Sequence, residues 1–231
     1  MGVADIDWTA VDTALDGQGF ASLGTLLDVE VRDALAGAFG EDAPYRSHVH
    51  MARHGFGRGE YKYFRYPLPS PIAGLREVLY PRCAAIANRW AERMRLDVRY
   101  PETHVAFLET CHAAGQERPT PLILSYREGD YNCLHQDLYG GIVFPLQVVI
   151  LLSEPGKDFD GGEFVLTEQR PRMQSRAHVV PMRAGEAVVF AVNERPVKGT
   201  RGDYRVKMRH GVSTLTRGAR FATGIIFHDA L

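Results

Sequence analysis

The chain has 231 residues, 45% of them hydrophobic and 24% charged, and a net charge of −1, a composition that fills a core and excludes a disordered polymer. No stretch approaches the roughly 20 uninterrupted apolar residues of a membrane span. Three cysteines, Cys83, Cys111 and Cys133, are odd in number and far apart, which excludes a disulfide framework and a zinc knuckle.

The segment Met1 to Asp7 lacks the basic and apolar regions of a secretory signal, and Ile6 stands where a myristoylation site needs Ser or Thr. The expected location is the cytoplasm. Residues 1–50 hold nine acids against Arg32 and Arg46, a balance of −7, so residues 51–231 carry +6. Such a split reads either as a basic face for a polyanion or as two solvated faces that attract each other.

Asp7-Trp8-Thr9 opens a short helix that ends near Gly17. Asp28 opens a second, with Val31, Leu35 and Phe39 at a spacing of four and Gly40 as its stop. His50 to Pro69, rich in Gly, Arg and Tyr, reads as an irregular loop. Pro71 to Met94 is helical, with Ile72, Leu75, Val78, Leu79, Ile86, Trp90 and Met94 on one stripe, and Pro81 is expected to split it in two.

From Pro121 the period changes to two. Strands are predicted at Leu122–Arg127, Pro145–Leu152, Glu163–Thr167, His178–Pro181, Ala187–Val192, Lys207–Leu215 and Ala219–Phe227, separated by turn residues such as Glu128-Gly129-Asp130 and Asp160-Gly161-Gly162. The expectation is one domain, 1–231, in the α+β class and mainly β. Residues 1–115 form a helical layer with loops, and residues 116–231 form a jelly-roll core.

His135-Gln136-Asp137 sets an imidazole and a carboxylate at i and i+2, and on an extended strand these share one face. His210 lies in Met208-Arg209-His210-Gly211-Val212, apolar surroundings that suit either a hydrogen-bonded core histidine or a third ligand. Two histidines and a carboxylate are the facial triad of non-haem Fe(II) sites, which leaves positions open for O2 and a co-substrate. A hairpin at Thr216-Arg217-Gly218 would pair Arg220 near Thr214, about 13 Å along the strand from His210. There its guanidinium would clamp the far carboxylate of a five-carbon diacid. On Gln147-Val148-Val149-Ile150-Leu151 the inward set reads Gln147, Val149 and Leu151, with Gln147 either a co-substrate contact or a cross-strand hydrogen bond.

His135-x-Asp137, His210 and an arginine ten residues after it resemble the 2-oxoglutarate/Fe(II) dioxygenase superfamily. Phe159-Asp160-Gly161-Gly162-Glu163-Phe164 resembles the Gly-Gly-Glu segment of its prolyl-hydroxylase-like branch. The resemblance implies a double-stranded β-helix, with Fe(II), 2-oxoglutarate and O2 as metal and co-substrates and succinate and CO2 as products. It also implies that Tyr126 hydrogen-bonds the co-substrate. Leu122 to Asp137 resembles the same stretch of alkylated-base repair dioxygenases, which carry a further arginine and an asparagine where this chain has Ile226 and Ala222. The whole chain is similar to a prokaryotic group of oxygenases described as acting on damaged nucleic acid.

Three basic segments, Arg53 to Arg65, Arg170 to Arg176 and Arg195 to Arg209, suit nucleic acid, a nucleotide or an acidic peptide. Hydroxylation or demethylation of modified nucleic acid, prolyl-type hydroxylation of a peptide, and a non-catalytic jelly roll holding a structural metal are the readings left open. The oligomeric state is not legible.

Overall fold

The structure is a computed structural model that describes residues 2–138 and 140–231; Met1, where the reading of the N-terminus begins, lies outside them. Four α-helices precede most of the strands. In α1 (Trp8–Gln18) the carboxylate of Asp7 accepts from the amides of Thr9 and Ala10, and in α2 (Val29–Gly37) Asp28 does the same for Val31. Both caps satisfy amides that the first helical turn leaves without partners.

The third helix, α3, runs unbroken from Ser70 to Met94 with Pro81 inside it, so the expected split does not occur. Pro81 and Glu77, whose carbonyl the missing amide would have bonded, both lie on the exposed face. The proline thus falls on the outer face while the packed stripe continues through Leu75, Leu79, Cys83, Ile86, Trp90 and Met94. Each large apolar member adds about 1.5–3 kcal/mol by burial, enough to hold the helix across the proline. Val78, placed on that stripe by periodicity, is 54% exposed. A fourth helix, α4 (His104–Ala113), which the period did not reveal, is capped by Thr103 and packs on α3.

The strands are β1 (Phe20–Thr25), β2 (Tyr45–His50), β3 (Gly57–Arg58), β4 (Glu60–Phe64), β5 (Leu122–Arg127), β6 (Tyr131–His135) and β7 (Leu146–Leu151), followed by β8 (Phe159–Gly161), β9 (Phe164–Gln169), β10 (Arg176–Val180), β11 (Glu186–Ala191), β12 (Glu194–Gly199), β13 (Gly202–Val212) and β14 (Leu215–Ile225). The larger sheet has the order β1-β11-β7-β14-β5-β4-β2 with β8 beside β14, and the smaller has β10-β9-β13-β6-β3 with β12 beside β13. The pairings are antiparallel, and the two sheets enclose the core as a double-stranded β-helix, the mainly β α+β arrangement expected.

Three corrections concern the first half and the last turn. His50 to Pro69 is not irregular: β4 pairs with β2 on one side and β5 on the other. Its alternation was hidden because the charged Lys62 is buried on the face away from the cavity, where its ammonium donates to the Glu41 carbonyl at 2.8 Å and to Asp42 at 3.1 Å. Residues 1–115 are accordingly more than helices and loops, for β1, β2 and β4 belong to the larger sheet. Finally, β13 and β14 form no hairpin. The chain crosses between sheets after Val212, and Arg220 pairs with Tyr126, not near Thr214.

The charge split resolves inside the molecule. Arg93 lies 2.7 Å from Asp16 and 3.0 Å from Asp203, and Arg89 reaches both Asp12 and Asp16. The acidic first helix and the basic face of α3 neutralise each other.

Candidate active site

Where β6 ends, His135 stands directly opposite His210 of β13, and Asp137 follows two residues after His135. A register shift between His210 and Val212 lets the strands approach closely; a Cβ on Gly211 would come within 2.6 Å of the Asn132 carbonyl oxygen. Glycine at 211 is therefore what seats His210 against the first two residues. Gln136, between the paired residues, donates to Asn193 at 2.7 Å and to the Met208 carbonyl at 2.8 Å, pinning the turn that carries Asp137.

The donor atoms of His135, Asp137 and His210 all lie within 4.8 Å of one another. His135 Nδ1 donates to the Cys133 carbonyl at 2.7 Å, which leaves Nε2, 3.4 Å from Asp137, as the nitrogen that would turn to a metal. His210 Nε2 is 3.3 Å from the other Asp137 oxygen. Burial alone would raise the Asp137 carboxyl, but hydrogen bonds and charge from both histidines outweigh it and hold the group ionised, well below its usual range. Burial and the charge of His135 push His210 down, towards the neutral form that ligates a metal. The donor set fits a divalent first-row metal with positions left open.

The triad borders a cavity between the sheets. Tyr61 and Tyr63 of β4, Tyr126 of β5, Gln147 of β7, Phe164 of β9, and Arg220 of β14 are among its walls.

Arg220 is 2% exposed, and no carboxylate lies within ion-pairing distance among the described residues. Its guanidinium faces the rings of Tyr126 at 5.6 Å and Phe159 at 5.9 Å, and its Nε has no hydrogen-bond partner. Burial lowers its pKa, opposed by Tyr126 and Glu163. A buried cation without a carboxylate is costly, and an anion entering the cavity would complete it. The Gly161-Gly162-Glu163 segment makes room for it: both glycines have positive φ, and a Cβ on Gly162 would meet Leu215 at 2.4 Å and Arg220 Cδ at 3.2 Å.

Gln147 is buried in the wall with Nε2 unpartnered, so that amide group makes no cross-strand hydrogen bond. Val149 lines the same cavity, whereas Leu151 lines a neighbouring one behind Arg220. Tyr126 is fully buried, and its hydroxyl accepts from Asn132 Nδ2 at 3.3 Å. Asn132 carries no signal of a site in the sequence, whereas Tyr61 and Tyr63, two of the aromatics interleaved with the basic residues of Arg53 to Arg65, stand in the cavity wall. Both tyrosines lay in the supposed loop, and only the alternation Tyr61, Tyr63 hinted at a wall.

The basic segments divide. Lys62 and Arg195 are buried, the latter bonded to the Asp16 carbonyl at 2.8 Å and to Glu168, and neither can grip a partner. Arg53, Arg58 and Arg65 are exposed, and Arg58 pairs with Tyr131 on the strand that ends in His135.

Residues 59–230 match a family model, Oxygenase-NA, described as an oxygenase catalysing oxidative methylation of damaged DNA. Proteins of two Mycobacterium tuberculosis strains are 48% identical over 167 residues, 72% of this chain and 72% of theirs. Among solved structures, a Pseudomonas putida prolyl-4-hydroxylase superposes with a TM-score of 0.56 at 17% identity, covering 97% of this chain and 99% of that one. A Burkholderia pseudomallei oxidoreductase of the 2OG-Fe(II) oxygenase family gives 0.54 at 14% identity, with 98% and 93% covered. At these identities the likeness is one of fold.

Proposed function

This chain belongs to the Oxygenase-NA family of oxygenases, and on that footing we propose that it is an Fe(II)- and 2-oxoglutarate-dependent dioxygenase of modified nucleic acid. The observation that carries the reading is the pairing of an open three-residue metal cluster with a buried arginine, without a carboxylate of its own, on the same cavity. A structural metal site would fill its positions with protein ligands and would need no such arginine.

In this reading His135, Asp137 and His210 would hold the iron, and Arg220 would bind the distal carboxylate of 2-oxoglutarate. When bound, iron and co-substrate supply the oxidising power that couples decarboxylation to oxidation of the substrate. The chain's own contribution is position. The Cys133 carbonyl fixes the His135 tautomer, Tyr126 and Gln147 offer hydroxyl and amide groups to the co-substrate, and Phe164 and Phe190 shield His210 from water. Arg53, Arg58 and Arg65 would meet a phosphate backbone.

Anaerobic titration with Fe(II) and 2-oxoglutarate, followed by air and assay of succinate, tests the chemistry. Saturable binding of both with no succinate released, even with an oligonucleotide carrying methylated bases present, would refute the enzyme and leave a metal-holding module.

A further inference from the structure

A second cluster of two histidines and one carboxylate lies away from the cavity. His48 and His50, at i and i+2 on edge strand β2, face Glu60 on β4. His48 Nε2 is 2.8 Å from one Glu60 oxygen and His50 Nδ1 is 3.3 Å from the other. The two imidazole centroids are 4.5 Å apart, and the donor atoms of all three residues lie within 4.8 Å of one another.

The position follows from register. His50 stands opposite Glu60 and His48 opposite Lys62, and directly opposed residues share a face with Cβ atoms about 5 Å apart. Tyr61 and Tyr63 point the other way, into the cavity. The cluster therefore sits on the outer face of the strand whose inner face walls the candidate active site.

We propose that His48, His50 and Glu60 bind a Zn(II)-class divalent ion that cross-links β2 to β4. Imidazole and carboxylate are Zn(II) donors, and three of them leave a tetrahedral ion one position for water. The side chains are 36%, 38% and 40% exposed, so that position faces solvent and the site can load in the folded protein. Lys62 is the nearby cation, but its ammonium is turned to Asp42 and the Glu41 carbonyl, which offsets its charge. With N and O donors the general affinity order places Zn(II) above Fe(II) at this site, as it does at the cavity triad.

The test is metal counting on the full chain, stripped with a chelator and equilibrated at micromolar buffered free Zn(II). Because the cavity triad can also take zinc, the difference between variants is read. His48→Ala/His50→Ala is expected to hold one ion fewer than wild type, and Glu60→Gln to weaken that ion roughly tenfold or more. As an independent reading, in an Asp137→Ala background Zn(II) should raise the melting temperature, and adding His48→Ala/His50→Ala should remove that rise. These substitutions are on the surface, and melting of the stripped proteins checks that the fold is kept. Equal zinc content in wild type and the double variant, or an unchanged zinc-dependent melting shift, would overturn the proposal.

Discussion

Arg220 stands opposite Tyr126 on adjacent strands, and its guanidinium carbon lies 5.6 Å from the centre of that tyrosine's ring. The ring gives the buried cation a polarisable neighbour without neutralising it. The charge is thereby buried without a counter-ion among the described residues, at a standing cost in stability.

Two consequences separate that cost from binding. Arg220→Ala is expected to weaken 2-oxoglutarate by about 2–5 kcal/mol, roughly 30-fold or more, with Arg220→Lys between it and wild type. Arg220→Met, which replaces the charge by similar apolar volume, should match or exceed wild type in melting temperature without ligand. Co-substrate KM and thermal melts measure the two. An unchanged KM in Arg220→Ala would remove this residue from the site.

Loss of any one triad residue should silence turnover. His135→Ala, Asp137→Ala and His210→Ala are each expected to abolish Fe(II)-dependent succinate formation while the far-ultraviolet circular dichroism stays that of the wild type. Full activity in one of them would exclude that residue as a ligand.

Stability should fall with acidity in a definite window. Burial, aided by Arg76, lowers His104 and His228 from 6.5 to about 4. Above 6.5 both states are neutral and the stability is fully present. As pH drops from 6.5 to 4 the unfolded chain takes up protons that the native one refuses, and stability is lost. Urea unfolding at stepped pH measures this. His104→Gln, which keeps a donor for the Phe227 carbonyl that His104 reaches at 2.9 Å, should flatten the slope, and an identical slope would exclude His104.

Binding of oligonucleotides should weaken steeply with salt. Replacing Arg53, Arg58 and Arg65 together by Ala should reduce the slope of log affinity against log salt by up to about three units, similarly for every sequence. Lys62 belongs to a different experiment: Lys62→Ala should destabilise the chain, because its ammonium is buried against Asp42 and the Glu41 carbonyl. Anisotropy at two salt concentrations decides the first point. No salt-dependent affinity at all would favour a peptide or free nucleotide as substrate.

Much of the β core was legible because its strands alternate or run apolar between glycine-rich turns, and Leu122–Arg127 matches β5 end for end. The triad spacing and Arg220 were legible for the same reason, since side-chain types mark them before geometry does. What stayed hidden was tertiary. Lys62 reads as surface until Asp42 and Glu41 enclose it, Pro81 reads as a break until it turns out to lie on the exposed face of α3, and Arg220 reads as part of a hairpin until β14 is seen to cross to the other sheet. His48, His50 and Glu60 come together only through strand pairing across a stretch that looks irregular.

The strand β1, from residues 20–25, covers the edge of β11, pairing Ala21 with Val189 and Phe20 with Phe190. Residues matching the family begin only at 59, so a fragment cut there would lose β1, β2 and β3 and bare the edges of β11, β4 and β6 at once. The β11 edge carries Val188, Val189 and Phe190, a template for intermolecular strand addition. Such a fragment should retain every cavity arginine and triad residue yet precipitate, and the boundary of the matched sequence is a poor guide to where this protein can be cut.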